Sequence, residues 1–159
     1  MIFRPPSPCQ LPVPLIEQRN AGECLAACAA MVCTYLKIAV DYDQLMKALD
    51  IETGVGAPFF RIRDLERLGI SVVYEEYGTL QELYDLLING WPSIASVETS
   101  ELSYWNKVST RHVVVVIGMD DQYIYLNDPA FPRNTMQTSL GDFDLAWLAQ
   151  DEKYAVLMP

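Results

Sequence analysis

The chain contains a single histidine, His112, among 159 residues. A histidine base, where the chemistry needs one, therefore has one candidate. Four cysteines are present without paired Cys-x2-Cys knuckles, which argues against a structural zinc site. No apolar run approaches the length needed to span a bilayer. The opening Met1-Ile2-Phe3-Arg4-Pro5-Pro6 lacks the apolar stretch and small-residue cleavage site of a signal peptide, so cytoplasmic residence is the default expectation. Basic residues are scarce: 11 Lys and Arg stand against 21 Asp and Glu, a formal charge of −10. That balance argues against nucleic acid or an anionic membrane surface as the main partner, and reads first as a solvated acidic surface. Repeats and low-complexity tracts are absent. With 51% apolar and 20% charged residues, the chain can bury a full core. One domain over residues 1–159 is expected, residues 1–17 forming an extended arm with Pro5, Pro6, Pro8, Pro12 and Pro14.

What the sequence does hold is Gln18-Arg19-Asn20-Ala21-Gly22-Glu23-Cys24, followed by an apolar run. Asn20, Gly22 and Glu23 are start-of-helix residues, and Leu25 to Lys37 has no Pro or Gly. The pattern predicts a helix over Cys24–Lys37, apolar almost all round and hence central, with Cys24 in its first turn. Unpaired backbone N–H groups and the positive end of the helix dipole favour thiolate there, which makes Cys24 a candidate nucleophile. Gln18 can bring a side-chain amide to the same spot as an oxyanion donor; the bland alternative is a bond to the backbone. Cys28 and Cys33 lie on the same helix and read as small buried hydrophobes, since helix geometry does not readily bring such pairs to bridging distance.

His112 opens Val113-Val114-Val115-Val116-Ile117, a β-branched run that reads as a buried strand. Gly118 to Gln122 predicts a turn, and Tyr123-Ile124-Tyr125-Leu126 the returning strand. A turn centred near Asp120–Asp121 pairs position 112 with about 129. Asp128 then lies beside His112, close enough to orient its ring. Asn127 is the competing orienter, because side chains alternate along a strand and only one of the two can face the histidine. A cysteine, a histidine, an acid and a glutamine amide form the set that cysteine-based acyl transfer needs.

Gln18-x5-Cys24, His112-x-Val-Val, Gly118-x-Asp120 and Asp128-Pro129, in this order and spacing, resemble the C39 peptidases and C39-like proteins, within the papain-like cysteine peptidases. The resemblance runs from Val13-Pro14-Leu15-Ile16 to Phe143, Trp147 and the final segment Tyr154–Met158. It implies an α+β, papain-like fold with a buried Cys-bearing helix packed on a C-terminal antiparallel sheet. It also implies that Cys24 is the nucleophile, His112 the base, Asp128 the orienter and Gln18 the oxyanion donor, with Asp-Pro deciding against Asn127. The expected activity is hydrolysis of a peptide bond with no cofactor and no metal. The expected partner is a peptide or protein substrate, with a double-glycine leader peptide the family's best-known target. Exporter-linked members continue into membrane helices and an ATPase, so a stand-alone protein or an excised domain is expected here. An acyltransferase or amidase on the same residues, and a non-catalytic peptide-binding module, are the alternatives.

The rest of the chain predicts helices over Asp43–Leu49 and Phe59–Leu68, the latter stopped by Gly69. A strand over Ile70–Tyr74 follows, then a helix from the capping box Thr79-Leu80-Gln81-Glu82 to Ile88 and a strand over Ser93–Val97. Glu52 to Ala57 reads as a flexible loop. Glu98 to Arg111 reads as a polar loop whose Tyr104 and Trp105 either wall a groove or fold onto the body. Pro129 to Thr138 reads as irregular, followed by a short helix begun by Ser139 or Asp142 and a closing strand over Tyr154–Met158. Helices first and antiparallel strands later is an α+β layout.

Overall fold

The structure, a computed structural model, describes residues 2–159; Met1 of the opening segment lies outside them. In chain order the elements are β1 (Cys9–Gln10), α1 (Cys24–Tyr35), α2 (Tyr42–Ala48), a 3₁₀ helix (Phe59–Leu68), β2 (Ser71–Glu75), α3 (Leu80–Ile88), β3 (Ser93–Glu98), β4 (Arg111–Met119), β5 (Tyr123–Asn127), β6 (Met136–Ser139), α4 (Leu140–Leu148) and β7 (Tyr154–Met158). Among the described residues the strands form one antiparallel sheet in the order β2-β7-β3-β4-β5-β6. The short β1 pairs with Gly118 and Met119 of β4, in line with the end of β3.

The valine run explains the layering. Val113, Val115 and Ile117 face α1, α2 and the 3₁₀ helix, while Val114 and Val116 face α3 and α4. A strand covered on both faces has no polar side, which is why the run does not alternate. On the first face α1 is buried from Leu25 to Cys33. On the second, Phe143 and Trp147 are fully buried, and Trp147 Nε1 donates to the Lys153 carbonyl at 2.9 Å. Helix and antiparallel sheet therefore combine as an α+β arrangement, with Cys28 and Cys33 inside α1.

Several boundaries differ from expectation for local reasons. Helix α1 stops at Tyr35, because Lys37 takes φ +60° and turns the chain. Helix α2 starts one residue early, at Tyr42, where Asp41 and Gln44 form a capping box. Phe59–Leu68 is 3₁₀ rather than α-helical. Its buried residues Phe59, Ile62 and Leu65 recur every third position, the period that puts them on one face of a 3₁₀ helix. Met136–Ser139 is a strand rather than irregular, a four-residue edge on β5 too short to show alternation. Gly118 and Met119 belong to β4, so the β4–β5 turn is confined to Asp120–Gln122.

The proline-rich arm is fixed along the sheet by the Leu11 N–H on the Ile117 carbonyl (2.7 Å) and by Asn127 Nδ2 on the Val13 carbonyl (2.9 Å). It ends at Gln18, whose N–H donates to the Pro129 carbonyl at 3.0 Å. Trp147→Ala is expected to lower unfolding stability by about 3–5 kcal/mol, whereas Leu148→Ala should change it by less than about 0.5 kcal/mol. Leu148 is 55% exposed, and urea denaturation compares the two.

Candidate active site

Cys24 is the first residue of α1 and is half-buried. Glu23, just before it, has φ −102° and ψ 15° and makes no side-chain capping bond, so no cap side chain occupies the first-turn amides. Gly22 adopts φ +81°, and a Cβ placed there would lie 2.7 Å from the Gly56 nitrogen. Only glycine lets the Gln18–Cys24 segment and the 52–56 turn approach so closely. The turn itself is closed by a Glu52–Gly56 bridge and by the Gly54 N–H on the Ala21 carbonyl at 2.8 Å.

His112 lies near the start of β4, 6% exposed, and its Nε2 stands 2.6 Å from Oδ1 of the fully buried Asp128. Oδ1 also accepts the Ala130 N–H at 3.0 Å. Oδ2 accepts Tyr104 Oη at 2.8 Å and Trp105 Nε1 at 3.0 Å. The Trp105 ring meets the His112 ring edge-on at 5.0 Å, and Phe131 packs against both Tyr104 and Trp105. The two loop aromatics therefore fold onto the body, and Trp105 also lines a cleft. Their role as carboxylate donors was not read from the sequence; aromatics with polar tips in the loop before the only histidine were the available signal.

Asn127 faces the other way, donating to Val13 and accepting from Thr135 Oγ1 at 2.7 Å. Asp128 reaches His112 along a register other than the uniform hairpin. Gly118 pairs with Tyr125, but a bulge between Val116 and Gly118 shifts the pairing to Val116–Leu126 and Val115–Asn127. Asp128 sits diagonally across from His112, just past the end of β5.

Burial opposes a charged His112. The Asp128 hydrogen bond, the neighbouring Cys24 sulfur and the charge of Asp128 outweigh it and raise its pKa from 6.5 to about 9. Burial also pushes against ionised Asp128, but His112, Ala130 and Trp105 hold its carboxyl below the usual range. With Nε2 engaged by Asp128, Nδ1 is the ring nitrogen left for Cys24. Burial pushes the Cys28 thiol well up and the Cys33 thiol up to about 11, and Cys28 Sγ donates to the Val113 carbonyl at 3.3 Å. Those two stay protonated.

Cys24, His112 and Gln18 open onto one cleft of about 690 Å³, with Gly54 to Phe60 among the residues lining it. The Gln18 backbone is tied to Pro129, while its side-chain Oε1 is buried without a hydrogen-bond partner. No cluster of three or more metal-ligating side chains occurs among the described residues. Among the same residues, no helix is long and apolar enough to cross a membrane.

Residues 10–154 match the Peptidase_C39 like family. The chain belongs to this family. Among solved structures, a C39-like peptidase from Bacillus anthracis is 19% identical with a TM-score of 0.78, covering 96% of this chain and 98% of that one. The fold is also similar to that of a double glycine motif protease from an AMS/PCAT transporter, solved in complex with the leader peptide. That structure is 25% identical, with a TM-score of 0.70 and coverage of 96% and 98%. The peptidase domain of Streptococcus ComA, a bifunctional ABC transporter involved in quorum sensing, is 18% identical with a TM-score of 0.71 and coverage of 92% and 98%. No curated protein matches the sequence.

The single histidine of this C39-like chain gives one imidazole signal, so its titration can be followed directly by NMR. The folded protein should show a midpoint near pH 9, falling by at least about one unit in Asp128→Asn. The raised His112 pKa contributes stability that is full below 6.5 and lost as pH rises through about 9. The lowered Asp128 pKa contributes stability present above 3.8 and lost as pH falls through its folded value. Thermal unfolding should therefore show a plateau between these limits. Gly22→Ala should destabilise by more than about 1 kcal/mol, because both its φ and its Cβ contact are unfavourable; urea denaturation reads that loss.

Proposed function

We propose that this protein is a cysteine peptidase that cuts a peptide bond by acyl transfer through Cys24. The observation that carries the reading is His112 held by Asp128 at 2.6 Å in one cleft with Cys24, the first residue of a helix, and Gln18. In this scheme His112, as imidazolium, is paired with the Cys24 thiolate. The thiolate attacks the scissile carbonyl, and the Cys24 N–H and the Gln18 amide receive the developing oxyanion. His112 passes its proton to the leaving amine, the amine departs, and a thioester remains on Cys24. Water, deprotonated by His112, then attacks the thioester and releases the acid. Asp128 keeps the ring oriented throughout and stabilises its positive form. The scheme routes no step through a metal or cofactor.

The substrate class is a peptide or protein. A double-glycine leader is the first sequence to try, supported by the relative solved with a leader peptide at 25% identity. Synthetic peptides with a central Gly-Gly should yield two fragments by mass spectrometry. Cys24→Ala should lower kcat/KM by at least about 10³-fold. Full cleavage by Cys24→Ala would overturn the scheme.

A further inference from the structure

Glu23 takes no part in the chemistry above, yet its carboxylate is among the most buried in the molecule, with the residue 2% exposed. Taking a carboxylate out of water is unfavourable unless hydrogen bonds replace the lost hydration. Here they do. Oε1 accepts Tyr42 Oη at 2.9 Å, and Oε2 accepts Asn20 Nδ2 and Thr53 Oγ1, each at 3.0 Å. Although burial raises its pKa, the bonds from Asn20, Tyr42 and Thr53 bring the net shift below the ordinary value.

The three donors come from three segments. Asn20 belongs to the loop that carries Gln18, Tyr42 to α2, and Thr53 to the turn that leads into the cleft wall. Tyr42 Oη additionally accepts the Arg19 N–H at 3.2 Å, and the Arg19 guanidinium covers the Tyr42 ring at 4.1 Å. Glu23 thus ties the loop after Gln18, α2 and the 52–56 turn to the residue before Cys24. A Ser, Thr, Asp or Asn at this position accepts a first-turn amide as a cap. Glu23 does not, which leaves those amides for another acceptor.

We propose that Glu23 is a positioning residue, clamping the Gln18–Gly22 loop and the 52–56 turn against the start of α1 so that the oxyanion donors are held beside Cys24. The inference rests on the reading of Cys24 and Gln18 given above. It predicts that oxyanion stabilisation, rather than thiolate formation, depends on Glu23.

Two reactions of Cys24 separate these. Alkylation by iodoacetamide is displacement at carbon and forms no oxyanion, so it reads the thiolate alone. Acylation by 4-nitrophenyl acetate forms the Cys24 thioester and expels 4-nitrophenolate through a tetrahedral oxyanion. Glu23→Ala should slow acylation about 10²-fold and Glu23→Gln about tenfold, with alkylation of Cys24 changed by less than about threefold in either. Glu23→Gln keeps the shape and part of the hydrogen bonding, and so serves where Glu23→Ala fails to fold. Equal losses in both reactions, following the folded fraction, would reduce Glu23 to a fold-supporting role. Unchanged acylation in the variants, or a wild type that alkylates but is not acylated, would overturn the proposal. A wild type that is acylated in a Glu23-dependent way but cuts no peptide would leave this inference standing and defeat the peptidase reading.

Discussion

Asp128 has no access to solvent, and its carboxylate depends on four donors brought to it by the fold. His112 and the Ala130 amide meet one oxygen, Tyr104 and Trp105 the other. Removing the imidazole would leave a buried charge short of its main partner, a change worth about 3–5 kcal/mol in such pairs. The same interaction fixes which ring nitrogen faces the helix. Nε2 is held, which leaves Nδ1 as the ring nitrogen available to Cys24, and the hydrogen bond with Asp128 counters the burial that would otherwise neutralise the ring. Packing, protonation and orientation of the candidate base thus follow from one contact.

The surrounding architecture delivers that contact to the end of α1. Strand β4 is buried on both faces by its valines, which fixes its register against β3 and β5 and leaves His112 at the end that meets the helix start. Helix α1 is apolar and buried all round from Leu25 to Cys33 and so lies at the centre of its layer, which sets the position of Cys24 by core packing. The arm contributes through Asn127 and Pro129, which tie Val13 and Gln18 to the end of β5. The fold is similar to that of the relatives described above at no more than 25% identity.

Much of this was legible because it is local. The helix start at Cys24, the capped helix start at Thr79 and the closing strand Tyr154–Met158 all lie at the expected positions, although Glu23 makes no capping bond at the first of them. The proximity of Asp128 to His112 follows from hairpin geometry, although the bulge near Ile117 changes the pairing in a way that no residue there announces. Non-local hydrogen bonds were not legible. Tyr104 and Trp105 are more than twenty residues from Asp128 in sequence, and Thr53 is 30 from Glu23. Only tertiary packing makes them partners. The 3₁₀ character of Phe59–Leu68 was present in the three-residue spacing of its buried side chains, a signal that an α-helical reading absorbs.

The most direct test of the account is mass-spectrometric measurement of iodoacetamide labelling across pH, on wild type and His112→Ala. An ion-paired Cys24 predicts rapid alkylation of Cys24 ahead of Cys9, Cys28 and Cys33 well below pH 8, slowed by at least about tenfold without His112. Slow labelling of Cys24 at the rate of an ordinary thiol, unchanged by His112→Ala, would contradict it.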